Sequence, residues 1–329
     1  MGRLRFSRIA LTIILLLAGP DGLAGQGGAP EQGGGAFLLI PVGAAATALG
    51  QAAVADGGTT EALFWNPAGL AWLPKSEFAI HHATTFVSKN TALTAFVASD
   101  RLGVLGIGAY VVDFGAQEIV PPGAGPIATG RISPKNIELL ASYATQAAGR
   151  LAVGVTYKLI QFRQDCEGNC GQLRSIVGTT HAVDIGLQLV LGETGGFRLG
   201  LALRHAGFKL QLENRDQADP LPTRVQFGVS YRVRLPNGGS PQPLDARILV
   251  DLQDKWGQYT SPDARIGLEL GYGTLLRIRT GYAFLRSENS GPSIGIGLSL
   301  DRIAVDFARQ FFASGTFDEP VYLSFRVLL

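Results

Sequence analysis

The chain has 329 residues, 46% of them hydrophobic and only 16% charged, with 44 glycines and a formal net charge of +2. Charged content of about 25% is usual for soluble domains, and a balance so near neutral excludes the basic character of a nucleic-acid binder. After the N-terminus no apolar run reaches the roughly 20 residues of a membrane helix, which leaves a water-soluble β protein or a transmembrane β-barrel.

Residues 1–25 read as a secretory signal. Arg3, Arg5 and Arg8 form a basic start, residues 9–18 an apolar core, and Leu23-Ala24-Gly25 a small-residue cleavage site. Loss of this leader, with Asp21, takes the net charge from +2 to about 0. Export implies a Gram-negative-type periplasm or beyond. Residues 26–35 are glycine-rich and read as a flexible N-terminus.

Residues 36–75 are small, apolar and rich in turns. The alanine-rich stretch 43–55 suits a short helix packed closely on other backbone. Thr59 or Thr60 offers an N-cap for Glu61-Ala62-Leu63-Phe64. Then comes Phe64-Trp65-Asn66-Pro67-Ala68-Gly69, in which Asn66-Pro67 starts a turn and the aromatics need burial.

From residue 77 onward the hydrophobic period is two. In residues 223–234, Val225, Phe227, Val229, Tyr231 and Val233 share one face, and Arg224, Gln226, Gly228, Ser230, Arg232 and Arg234 the other. Similar stretches fall at 77–87, 91–99, 102–112, 135–146, 151–159, 181–191, 197–205, 246–252, 264–272, 276–284, 294–300, 303–307 and 321–329. That is about 14 segments near the ten residues a tilted transmembrane strand needs. Connections alternate between short (99–101, 147–149, 192–196, 236–243, 273–274, 301–302) and mostly longer (88–90, 113–134, 163–178, 206–222, 255–261, 286–290, 310–318). Short turns on one side and long loops on the other are the pattern of outer-membrane barrels.

The expected fold is therefore all-β: a 14-stranded antiparallel transmembrane β-barrel spanning residues 76–329, with residues 36–75 as a plug inside the lumen. Apolar faces meet lipid, because charge there costs about 2–4 kcal/mol at the midplane. The opposite faces are expected to form a lumen charge network of Asp184, Arg198, Arg204, Arg224, Arg232, Arg247, Asp251, Arg265, Glu269, Arg277, Arg279, Asp306 and Arg326, with glycines such as Gly154, Gly186 and Gly267 leaving room beside them. Phe86, Tyr110, Tyr143, Tyr157, Phe162, Tyr272, Tyr282, Phe284 and Phe311 are candidate interface anchors. A soluble sandwich alternates likewise but does not require strands so uniform.

Cys166-Glu167-Gly168-Asn169-Cys170 reads as a disulfide closing a small loop in an exported protein. No metal site or cofactor is expected. The four histidines, His81, His82, His181 and His205, show no spacing to a serine and an orienting group, so no catalytic residue is assigned. His82 and His205 are expected near water.

Gly43-Ala44-Ala45-Ala46-Thr47-Ala48-Leu49-Gly50, Val54-Ala55-Asp56 and Ala62-Leu63-Phe64-Trp65-Asn66-Pro67-Ala68-Gly69-Leu70 together resemble the N-terminus of PorV/PorQ-type outer-membrane proteins, within the FadL-like superfamily of 14-stranded barrels. The resemblance covers roughly residues 36–75. It implies that the turn Phe64, Trp65, Asn66, Pro67, Ala68 and Gly69 belongs to a gating plug. It also implies a non-enzymatic role, either in secretion of the type IX kind, holding exported cargo proteins or secretion-system subunits, or in transport of hydrophobic compounds across the outer membrane. Outer-membrane lipid is the implied surrounding. The many lumenal arginines favour a salt-linked interior over a greasy tunnel, while the loops at 113–134 and 206–222, with Pro121, Pro122 and Ile127, offer an apolar cup. Leu329 stands where such barrels commonly end in an aromatic residue.

Overall fold

A computed structural model describes residues 35–99, 101–120, 127–192, 196–210, 219–236, 239, 241–286, 290–312 and 318–329. The leader at 1–25, nearly all of the glycine-rich stretch, and Pro121 and Pro122 lie outside the described residues.

The period-two stretches are strands. In chain order they are β1 (Glu77–Thr84), β2 (Lys89–Ser99), β3 (Gly103–Asp113), β4 (Gln117–Ile119), β5 (Gly130–Ala148), β6 (Leu151–Gly168), β7 (Ile176–Leu191), β8 (Phe197–Gly207), β9 (Arg224–Leu235), β10 (Leu244–Lys255), β11 (Gln258–Tyr272), β12 (Leu276–Phe284), β13 (Gly291–Leu300), β14 (Ile303–Gln310) and β15 (Val321–Leu328). Each pairs antiparallel with its neighbour, β3 pairs directly with β5, and β1 pairs with β15 from Glu77↔Leu328 to Thr84↔Val321. The result is a closed 14-stranded antiparallel barrel. The short β4 lies outside the ring, laid along the far end of β5. Closure leaves no unpaired strand edge around the ring, the requirement for a sheet in lipid.

Side chains divide by parity. On β11, Ile266, Leu268 and Leu270 are exposed while Arg265, Gly267 and Glu269 are buried. Leu187, Phe227, Ile248, Ile278, Ile296, Phe307 and Leu323 continue an outward apolar band around the ring. One rim carries both ends of the barrel and the short turns, and the other carries the long connections.

Three expectations are corrected here. Tyr110 shares inward parity with Val104 and Val112 and is buried, so it is no interface anchor; Phe162 packs partly against the interior cluster. His205 is buried rather than near water. It sits at positive φ (56°) in a bulge where Asp184 of β7 faces both Arg204 and His205. The loops expected at 113–134 and 163–178 are shorter, because β5, β6 and β7 run on past the apolar band, with Gly130↔Gly168 as the last β5–β6 pair. Beyond the band both faces meet water, so alternation of hydrophobicity ceases while the ladder continues. Cys166 and Cys170 at this tip are disulfide-bonded.

Candidate functional site

Residues 35–74 fill the lumen. They form a 3₁₀ turn (Ala36–Leu39), helix α1 (Ala44–Ala48), helix α2 (Ala62–Trp65) and a second 3₁₀ turn (Pro67–Trp72). No element exceeds two turns, so none is stable by itself; the barrel wall orders them. Small residues make that possible. The Gly281 Cα lies so near the plug that an added Cβ would be 2.1 Å from Gly50 N and 2.2 Å from Leu49 C. α1 packs on β12, β13, β14 and β15, and the second 3₁₀ turn on β5, β6 and β7.

Asn66 is the centre of this arrangement and is fully buried. Its Oδ1 accepts Ala68 N–H (3.1 Å), capping the second 3₁₀ turn with Pro67 at its first position. Its Nδ2 donates to Val54 O (2.8 Å) in the plug and Leu187 O (3.1 Å) in β7. Gly186 permits the approach, since a Cβ there would stand 2.0 Å from Asn66 Oδ1. Phe64 and Trp65 are buried, and Trp65 Nε1 donates to Val42 O (2.9 Å).

The cap expected from Thr59 or Thr60 is not formed; α2 has no side-chain cap, and Thr60 Oγ1 has no partner. Glu61 instead reaches back to α1, accepting Ala45 N–H (3.1 Å) and Ala46 N–H (2.7 Å). Burial pushes its carboxyl up to about 7, with the charge of Asp306 adding to the effect. Ser324 on β15 accepts Ala44 N–H (2.9 Å) and bonds His81 Nδ1 (2.8 Å).

The two halves of the lumen differ. On the β2, β3, β5 and β6 side, Phe96, Val104, Tyr110, Leu140 and Ile160 form one apolar cluster with Leu63, Phe64, Trp65 and Leu70 of the plug. On the other side small apolar clusters (Ala44 and Ala48 with Ala308 and Tyr322; Leu49 and Ala52 with Leu249) stand beside ionic contacts. Asp56 of the plug bonds Arg247. From there Arg247 reaches Glu269 (3.3 Å), Glu269 reaches Arg279 (2.7 Å), Arg279 reaches Asp306 (2.6 Å), and Asp306 reaches Arg326 (3.1 Å). Arg232 and Arg277 join at Glu269 and Asp245 at 3.5–3.8 Å. The structure thus gathers seven of the thirteen inward residues named from the sequence into one chain of contacts anchored on the plug.

The others stand apart. Asp251 Oδ2 accepts both Ala53 N–H (2.8 Å) and Val54 N–H (2.9 Å). Arg198 lies over the Trp72 ring at 5.3 Å. Asp184 and Arg204 belong to a second cluster: Lys158 bridges Asp184 (2.8 Å) and Glu138 (3.0 Å), and Arg204 donates to Gln226 (3.0 Å) and stacks on Trp65 at 5.0 Å. Arg224 and Arg265 line a cavity. Lys158, Glu138 and Asp245 escaped the sequence reading, and Asp56 entered it only as part of the plug motif, without an ionic role. Lys158 stands at even spacing from Gly154 on the inward face, and that parity marks it.

The cavity lies between plug and loop rim and measures about 530 Å³, within the range of about 300–1,000 Å³ common for small-molecule sites. Leu39, Ile40, Pro41 and Trp65 of the plug give it an apolar floor; Phe86, Phe312 and Tyr322 give it apolar walls, and Arg204, Arg224 and Arg265 polar ones. Phe86 and Phe312 meet edge to face at 6.2 Å. The described parts of the connections at 113–134 and 206–222 do not line it, so the cup expected there is built from other stretches.

No family model and no curated protein sequence matches the chain. Solved structures do. The Ralstonia pickettii toluene transporter TbuX is 12% identical, covers 89% of this chain and 100% of its own, and has a TM-score of 0.60. The P. putida toluene transporter TodX is 13% identical, with coverage of 87% and 98% and a TM-score of 0.59. The CymD monoaromatic hydrocarbon channel is 14% identical, with coverage of 88% and 98% and a TM-score of 0.55. At these identities the likeness is one of fold.

Proposed function

We propose that the chain is an outer-membrane barrel that binds small hydrophobic compounds at its loop rim and passes them inward past the plug. The observation that carries this reading is the cavity of about 530 Å³, floored by Leu39, Ile40, Pro41 and Trp65 and open toward the loop rim. A mostly apolar concavity with a few placed polar groups is the usual form of a small-molecule site. The outward apolar band supports residence in lipid, and short turns on one rim with longer connections on the other support a reading in which the longer ones face outside the cell. The names of the solved structures with this fold, toluene transporters and a monoaromatic hydrocarbon channel, support hydrophobic cargo. A secretion role of the type IX kind gains no support from them.

In this reading residues 36–75 act as the gate, with Phe64, Trp65, Asn66, Pro67, Ala68 and Gly69 as its hinge turn. The ionic half of the lumen holds the plug. The apolar half, where Leu63, Phe64 and Leu70 meet Val104, Leu140 and Ile160, is held mainly by non-directional packing, with Gln146 Nε2 donating to Ala71 O (3.2 Å), and is the side along which the plug yields. Accumulation of radiolabelled naphthalene by cells carrying the chain tests the reading, with Ile40→Trp filling the cavity. Faster uptake than in empty-vector cells, lost in Ile40→Trp, is expected; equal rates in all three refute it.

A further inference from the structure

We infer that one arc of the short-turn rim binds anionic phospholipid headgroups, with Arg101, Arg150 and Arg302 receiving the phosphates. The inference rests on the outward band's facing lipid and not on the cargo reading. The three arginines hold the same position in three different turns. Each stands directly before the apolar residue that leads into the next strand: Arg101-Leu102, Arg150-Leu151 and Arg302-Ile303. Around the ring come the β13–β14 turn with Arg302, the meeting of β15 and β1 with Lys75, the β2–β3 turn with Arg101, and the β5–β6 turn with Arg150. These are consecutive strand-pair ends, about 10 Å apart at a strand spacing of about 4.8 Å.

The protein itself makes no use of the three side chains. All are exposed, and among the described residues no carboxylate lies within 4.0 Å of them. Their backbones serve the sheet: Val190 N–H donates to Arg150 O (2.9 Å) and Leu328 N–H to Arg302 O (2.8 Å). On the opposite rim the outward bases are paired, Lys135 with Asp113 (3.0 Å), Arg163 with Asp165 (2.8 Å) and Arg309 with Glu319. By sequence the arc carries four bases against two acids, Asp100 and Asp301. Asp301 has a separate role, since it sits at φ 52°, a left-handed turn position that aspartate tolerates.

The arc also stands at headgroup level. Leu102, Leu300 and Leu329 beside it are 70%, 66% and 70% exposed and end the apolar band on this side. Tyr143, an outward aromatic on β5, donates its hydroxyl to Leu102 O (2.8 Å), as a residue at the boundary of lipid and water does. An arginine just beyond that boundary keeps its stem along the apolar surface and its head in the polar layer. There its planar fork of donors matches phosphate oxygens. A zwitterionic headgroup brings its own cation beside the phosphate, so the attraction favours a lipid of net negative charge.

The test is native mass spectrometry of the purified full-length chain in non-ionic detergent. Dioleoylphosphatidylglycerol and dioleoylphosphatidylcholine are added in equal amounts. Wild type is expected to hold the anionic lipid at least about fivefold over the zwitterionic one, equivalent to about 1 kcal/mol. The triple variant Arg101→Gln, Arg150→Gln, Arg302→Gln brings the ratio toward one. The control triple Lys135→Gln, Arg163→Gln, Arg309→Gln loses the same charge from the other rim and keeps the wild-type ratio. Heat-modifiable gel migration shows whether each protein is assembled; if the first triple is not, its three single variants replace it, and each is expected to lower the ratio. Added decaglutamate peptide is expected to leave the anionic lipid bound. A wild-type ratio of one, an equal fall in both triples, or no fall in the three single variants overturns the inference. Displacement of the lipid by decaglutamate also overturns it and assigns the arc to an acidic polypeptide. None of these results touches the cargo reading.

Discussion

Replacing Asn66 isolates what seats the plug. Its side chain makes three short hydrogen bonds, one to its own turn, one within the plug and one to β7, and a long fourth to Leu201 O of β8 (3.5 Å). At about 1 kcal/mol for each short bond, Asn66→Ala costs about 3 kcal/mol, which shifts the seated-to-unseated ratio by roughly a hundredfold. Asn66→Asp preserves size and the bond to Ala68 but turns an oxygen toward the carbonyls of Val54 and Leu187. An unpaired charge in that buried position costs several kcal/mol, so Asp is worse than Ala although it fills the site better. Amide exchange of the 60–72 segment, followed by mass spectrometry in detergent micelles, reads the opening directly. The expected order of exchange is wild type slowest, then Asn66→Ala, then Asn66→Asp, with strand amides unaffected. Exchange equal in all three proteins, or slower in Asn66→Asp than in Asn66→Ala, refutes the reasoning.

Gly281→Ala drives a methyl group into the backbone of Leu49 and Gly50; about 1–3 kcal/mol of overpacking follows, and faster exchange at 44–52 is the expected reading. Leu268→Arg puts charge on the outward face and lowers barrel stability by about 2–4 kcal/mol in urea titration in lipid vesicles; an unchanged midpoint contradicts the lipid-facing assignment. Glu61 belongs to the plug, and its carboxyl is pushed up to about 7 from 4.5. A raised value means that the neutral form is favoured when folded, so its contribution is fully present below pH 4.5 and is lost as pH rises through about 7. Plug exchange corrected for intrinsic rate is expected to be faster at about pH 8 than at about pH 5, by up to about 3 kcal/mol in opening energy. Glu61→Gln removes that dependence, and its persistence in the variant assigns it elsewhere.

The barrel was legible because its determinant is local. A period of two with one apolar face needs only neighbouring residues, and Val225 to Val233 display it without reference to the rest of the chain. Strand ends were less legible, since β5, β6 and β7 continue where both faces are wet. The side of Tyr110 follows from parity with Val104. That of His205 does not, because the bulge that turns it inward depends on Asp184 of another strand accepting its N–H (2.7 Å). Glu61 illustrates the same limit: its position suggests the first turn of α2, yet its bonds go to α1 across a fold brought together by the wall. The inward arginines could be named one by one from alternation. Their division into an ionic chain anchored on Asp56, a Lys158-centred cluster and the arginines lining the cavity depends on which strands close beside which.

The claim on which the rest depends is that residues 36–75 seal a barrel set in lipid. Ion conductance across a planar bilayer tests it most directly, comparing the full-length chain with one lacking residues 36–74. The intact chain is expected to insert and conduct almost nothing, and the shortened chain to give steady, open-pore currents. Open-pore currents of equal size from both would contradict the account.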